Sequence, residues 1–194
     1  VPQGISAELS ADKYGITRDD LDAFGVRSQA LARQATDEGR FEREIVPVMG
    51  ADGALVTRDE GLRETTLESL AQLKPVFRTP EEGGRITVGH SSQITDGASA
   101  ALIMSEARAK QLGLTPRARF VEFALAADNP RLMLTAPMPA TEKVLARAGM
   151  TLDQIDLVEI NEAFASVVLA WEKEMHPDMA KVNPNGGAIA IGHP

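Results

Sequence analysis

From Ile86 onward, apolar runs short enough to be strands alternate with stretches at helical spacing, and helical stretches close on Gly113 and Gly149. This rhythm is that of an α/β layer, in which helices cover a sheet, and it narrows the choice of fold more than any other feature. The spacing predicts strands over 98–104, 117–125 and 157–160, helices over 105–112, 139–148 and 162–175, a tight turn over 151–154, and a further strand from Val182. The first half reads as helices and loops. A helix over 6–14 ends at Gly15, and Thr17-Arg18-Asp19-Asp20 opens a second one as a capping box. Leu21, Phe24, Leu31 and Ala35 give that second helix one apolar face before Gly39 stops it. Extended pieces at 45–48 and 55–56 flank a turn over Gly50–Gly53, a short helix spans 66–73 ahead of Pro75, and 80–84 is a loop. A domain boundary falls near residues 80–95.

Charge and composition remove several classes of function. A net charge of -8 with no clustered basic patch argues against nucleic acid as a partner. No apolar run approaches the ~20 residues that a membrane-spanning helix needs, so no membrane partner is expected. Because the sequence opens on Val1, an upstream targeting segment stays open, and the cytoplasm is the default location. Cysteine is absent, so the chain has neither a disulfide nor a thiolate nucleophile of its own. The three histidines, His90, His176 and His193, lack metal-ligand spacing, and no metal is expected.

Two clusters can carry chemistry. Asn161-Glu162-Ala163-Phe164 directly follows an apolar strand, and Asn183-Pro184-Asn185-Gly186-Gly187-Ala188-Ile189-Ala190-Ile191-Gly192-His193-Pro194 closes the sequence. Each has a plain structural reading. Asn161 would cap the following helix with Glu162 complementing its dipole, and the tail would be a tight glycine turn with an exposed histidine. Taken together they read differently. A side-chain amide at a strand end and a histidine approached by glycines can set two hydrogen-bonding groups around a thioester oxygen. A histidine near its ordinary pKa can also polarise a nucleophile without carrying a fixed charge.

At these residues the sequence resembles the thiolase family. The resemblance extends upstream, in order, through Asp59-Glu60, Thr65-Thr66-Leu67-Glu68, Leu73-Lys74-Pro75 and Gly89-His90-Ser91-Ser92-Gln93-Ile94-Thr95-Asp96-Gly97-Ala98, and essentially every part of the chain finds a counterpart. It implies a partial thiolase-like α/β fold: a mostly helical loop domain over 1–93 that covers coenzyme A, then over 94–194 the start of a C-terminal α/β half of a layered αβαβα architecture. It implies an acyl-CoA acyltransferase that cleaves 3-ketoacyl-CoA with coenzyme A, of the degradative type, with no permanently bound cofactor. By the same resemblance, His193 activates a cysteine and contributes to an oxyanion hole whose other donor is a water held by Asn161. Ser92 then meets the pantetheine arm, Lys74 the nucleotide end, and Met133 and Phe164 belong to the substrate pocket. A homo-oligomer, dimer or tetramer, is implied for the complete enzyme.

Both cysteines that the family uses are missing, so the chain is expected to be a fragment, inactive alone, that begins after the nucleophile and ends before the second cysteine. Exposed apolar surface is expected where the missing parts would pack. Leu134 and Ala136 stand where short-chain members often carry glycine, and His90 replaces a frequent asparagine, which fits members acting on longer or bulkier acyl groups. A related condensing enzyme is disfavoured by the Gly192-His193-Pro194 ending. A non-catalytic subunit of thiolase-like build, binding acyl-CoA or scaffolding a partner, is the alternative of a different class.

Overall fold

The computed structural model describes residues 1–194. Helix α1 (Gln3–Tyr14) ends at Gly15 in the left-handed region, φ 59°, and the turn that glycine permits sends the chain into α2 (Arg18–Asp37). The capping box is present in full. The Thr17 hydroxyl accepts from the Asp20 N–H while the Asp20 carboxylate accepts from the Thr17 N–H. A small hairpin follows, β1 (Val48–Met49) against β2 (Leu55–Val56), antiparallel with Val48 opposite Val56. Helix α3 (Leu67–Ala71) is capped by Thr66 and stops short of Pro75, and 80–82 forms one 3₁₀ turn.

In the second half, α4 (Glu106–Gln111) and α5 (Pro137–Ala148) run into Gly113 and Gly149, both at positive φ. Helix α6 (Ala165–Met175) starts three residues later than its spacing suggests, after Phe164, and α7 (Ala188–Ile191) is a single turn within the glycine-rich tail. Asn161 is therefore not the cap of α6. Phe164 takes that position with extended backbone and no side-chain cap, because the four residues before α6 are drawn into contacts with other segments.

The core lies where α1 and α6 pack together, flanked by α2 and α5. Ala7, Ala11, Ile16, Leu21, Phe24, Ile86, Val168 and Trp171 are buried there. Small residues on α1 let α6 approach closely, and the indole N–H of Trp171 is satisfied by Thr141 Oγ1 at 3.0 Å. Glu8, fully buried on α1, accepts from the N–H groups of Arg85 and Ile86 and so fastens the 85–86 segment to the helix.

The strands expected over 98–104 and 117–125 do not form. Neither segment makes a backbone-to-backbone hydrogen bond, and Leu102, Ile103, Phe120, Val121, Phe123 and Leu125 lie exposed. A strand exists only through its ladder partner, and the parallel contacts of this half are two isolated bridges, Val158 with Val182 and Pro184 with Gly186. The two segments together leave an uncovered apolar surface.

Candidate functional site

The loop before α6 and the tail around α7 meet through the side chain of Asn183. Its backbone sits at φ 45°, a conformation asparagine tolerates, and its amide bonds the Ile160 N–H and carbonyl at 2.8 and 2.9 Å. The main chain adds bonds from Val158 N–H to the Lys181 carbonyl and from Asn183 N–H to the Val158 carbonyl. Asn161 is thus held at the edge of a fixed pair of segments.

Beside it, the Glu162 carboxylate is fully buried and accepts from Ser28 Oγ (2.5 Å), Asn183 Nδ2 (3.0 Å) and the Ile189 N–H (3.2 Å). These bonds replace the water that an ionised carboxylate loses on burial. Gly187 makes the approach possible, since a Cβ there would lie 2.4 Å from the Glu162 carboxyl carbon. Helix α2, the loop before α6 and the glycine tail therefore meet at one carboxylate.

A strap over Ser91–Gln93 closes the site from the other side. Ser91 pairs with Phe164, the Ser92 N–H donates to the Ala163 carbonyl at 3.1 Å, and the Gln93 carbonyl accepts from the His193 N–H at 2.8 Å. The Gln93 amide nitrogen donates to the carbonyls of Gly61, Ile189 and Ala190. Gly192, at φ 95°, lets the tail turn against Thr95 and deliver His193.

At the centre, Asn161 Nδ2 stands 3.4 Å from His193 Nδ1, with both side chains exposed. In the tautomer whose Nδ1 accepts from this amide, the ring proton is on Nε2, which is then a donor for an incoming oxygen. The site residues named from the sequence fall in four places. Asn161, His193 and Ser92 gather around the strap. Lys74 is exposed beyond α3 and forms no ion pair. Met133 is half-buried at φ 33°, in a left-handed turn before α5, and Phe164 is packed in the core, edge-on to Phe77 at 5.8 Å. A cavity of about 420 Å³ between α2 and the 179–184 segment holds none of them.

The sequence reading missed Ser28, Asn183 and Gln93 as supports, and took Glu162 for a dipole complement. A signal for Ser28 existed: it lies seven residues after Leu21 and four after Phe24, so a polar side chain sits on the apolar stripe of α2. A polar group in that position needs a buried partner.

Fold and site together define an α/β protein in which two glycine-assisted loops present an amide and an imidazole to a common point. Comparison with known proteins gives the family. Models of the thiolase N-terminal domain and the thiolase C-terminal domain match residues 1–107 and 114–194, and the chain belongs to the thiolase family. It is 51% identical over 199 residues to the 3-ketoacyl-CoA thiolase of Idiomarina loihiensis, covering 98% of this chain and 51% of that protein. Among solved structures, human mitochondrial 3-ketoacyl-CoA thiolase in complex with CoA aligns with a TM-score of 0.96 and 40% identity, over 100% of this chain and 48% of its own. The dimeric peroxisomal thiolase of Saccharomyces cerevisiae aligns with a TM-score of 0.95 and 39% identity, over 100% and 49%. The chain spans about half the length of the curated relatives it matches, and it carries part of the thiolase-like α/β fold. The two uncovered segments, 98–104 and 117–125, lie in this partial fold.

Proposed function

We propose that the parent protein is a degradative thiolase, an acyltransferase that cleaves 3-ketoacyl-CoA with coenzyme A, and that this chain supplies its histidine and asparagine. The observation that carries the reading is the approach of Asn161 and His193 to 3.4 Å across 32 residues of sequence. In the reaction, a thiolate attacks the 3-keto carbonyl, the bond between the second and third carbons breaks, and the electron pair leaves as the enolate of acetyl-CoA. The enolate takes up a proton, coenzyme A accepts the acyl group, and the thiolate is regenerated. His193 Nε2–H and a water on Asn161 stabilise the oxygen that gains charge. With no cysteine among its residues, the chain needs its nucleophile from outside the 194 residues.

Residues 1–93 serve in this reading as the loop domain, with Ser92 on the pantetheine arm and Lys74 at the nucleotide end, and 94–194 begin the C-terminal half. Met133 and Phe164 shape the acyl pocket, Met133 directly and Phe164 from behind. The likeness to a structure that holds CoA supports coenzyme A and acyl-CoA as substrates, and the dimeric yeast structure supports a homo-oligomer. A cytoplasmic role in lipid breakdown accords with the acidic composition and with relatives named 3-ketoacyl-CoA thiolase. Thiolysis of acetoacetyl-CoA tests the reading: the parent protein turns over and the 194-residue chain does not. Turnover by the pure chain, or none by the parent with any 3-ketoacyl-CoA, overturns it. The absence of cysteine favours one second reading, a non-catalytic acyl-CoA-binding subunit, which would bind coenzyme A with no turnover by the parent.

A further inference from the structure

The strap that holds the site is itself held by one buried histidine. His90, fully buried, directly precedes Ser91–Gln93. Its Nδ1 accepts from the Thr87 N–H at 3.1 Å, and its Nε2 lies 2.6 Å from Asp22 Oδ1 on α2. Both nitrogens are therefore matched by one tautomer of the neutral ring, with the proton on Nε2 donated to Asp22. Arg18 Nε reaches both Asp22 oxygens at 3.0 Å, and Arg18 Nη2 continues to the carbonyls of Leu70 and Leu73 at 2.5 and 3.2 Å. Contact between the parts is tight. A Cβ at Gly25 would lie 2.7 Å from the Gly89 carbonyl oxygen, and one at Gly89 would lie 2.5 Å from Leu70 Cδ2. All three strap residues then bond the loop before α6 or the glycine tail.

We propose that His90 is a positioning residue: its neutral imidazole latches the Ser91–Gln93 strap to α2, so that the strap, and the Asn161–His193 pair it joins, loosens in acid. A second ring proton would sit on Nδ1, facing the Thr87 N–H, and would replace an acceptor by a donor. The groups facing the ring are few. Helix α2 presents Asp22 and Arg18, the 85–87 segment presents the backbone of Arg85 and Thr87 and the Thr87 hydroxyl, 3.4 Å from Nδ1 and already accepting from the Gly89 N–H, and α3 and the turn after it present the apolar Leu70 and Leu73 near Gly89. Burial lowers the pKa of His90 from its ordinary value, Arg18 adds to this, and the hydrogen bond and charge of Asp22 with the Arg85 backbone oppose it.

The sign follows from linkage. A base whose folded-state pKa lies below its unfolded value binds its proton more readily when the latch is open. The latch contributes fully above about pH 6.5 and is lost as pH falls from there towards the folded-state value, by up to about tenfold in the opening equilibrium per pH unit. The consequence for the proposed reaction, an acid limit on acyl-CoA binding, rests on the thiolase reading. The latch itself does not.

Amide hydrogen exchange on the 194-residue chain tests it. Corrected for intrinsic rates, protection of the Ser92 and His193 amides falls by up to about fivefold between pH 6.5 and 5.5, while the Val144 amide of α5 keeps its protection. In His90→Asn the side-chain oxygen can still accept from Thr87 but does not titrate, and the acid loss disappears. Asp22→Asn removes the carboxylate that favours the charged ring, so the loss begins at the same pH but continues to lower pH and is larger in total. Equal acid loss in His90→Asn, a smaller acid loss in Asp22→Asn, or flat protection in the unsubstituted chain overturns the proposal. Titration of the parent protein with coenzyme A separates the two ideas: no binding at any pH, with the exchange pattern intact, defeats the thiolase reading and leaves the latch standing.

Discussion

The hydroxyl of Ser28 on α2 donates a 2.5 Å hydrogen bond to the buried carboxylate of Glu162, 134 residues further along the chain. That contact joins the helical first half to the loop that presents Asn161. It also sets the cost of disturbing the site from behind. Glu162→Ala leaves the Ser28 hydroxyl, one of the two Asn183 Nδ2 hydrogens and the Ile189 N–H without an acceptor in a buried place, and the loss of stability is on the order of 3 kcal/mol. Glu162→Gln keeps an acceptor and costs about 1–2 kcal/mol. Urea denaturation of the two variants checks the order, and an equal loss in both contradicts it.

Gly187 and Gly53 separate steric cost from backbone cost. A Cβ at Gly187 meets the Glu162 carboxylate, whereas Gly53, at the hairpin tip with φ 80°, has open space around it. Gly187→Ala should destabilise by about 2–3 kcal/mol through overpacking, and Gly53→Ala by about 1 kcal/mol through its left-handed backbone alone. Thermal melting of both variants is the measurement. A larger loss at Gly53 would show that the tail does not press on Glu162.

The Thr17 capping box works on α2 alone. Removing its hydroxyl by Thr17→Ala costs about 1 kcal/mol, and Asp20→Ala removes the reciprocal half at a similar or smaller cost. Denaturation curves should show the midpoint moving with an unchanged slope, since no buried surface is lost.

The uncovered segments make a different demand. Phe120 and Phe123 are 70% and 73% exposed, so Phe120→Ser and Phe123→Ser remove apolar surface without removing a core contact. Stability should stay within about 0.5 kcal/mol of the parent chain while binding of an apolar dye and self-association fall. A marked loss of stability would mean that these rings pack inside the chain.

The sequence displayed its local grammar. Thr17, Gly15, Gly113 and Gly149 mark helix ends whose hydrogen bonds close within a few residues, and each stands where the pattern puts it. The segments 98–104 and 117–125 carry apolar strand-like runs, but a strand is completed by a partner elsewhere, and no pattern within the run supplies one. Asn161 and His193 were legible because they lie in two distinctive motifs. Their supports were not, because Ser28, Asp22, His90 and Gln93 reach the site through contacts such as Ser28–Glu162, Asp22–His90 and Gln93–Ile189, across 68 to 134 residues. Only the polar interruption of the α2 stripe hinted at one of them.

The most direct test of the account is a double-mutant cycle on thiolysis by the parent protein, with Asn161→Ala, His193→Ala and the pair. Each single variant should lose about 10²–10³ in kcat/KM, and the pair should lose clearly less than the product, because in the proposed reaction both groups serve one oxygen. Wild-type kcat/KM in either single variant, with its fold intact, would contradict the claim that these two side chains form the site.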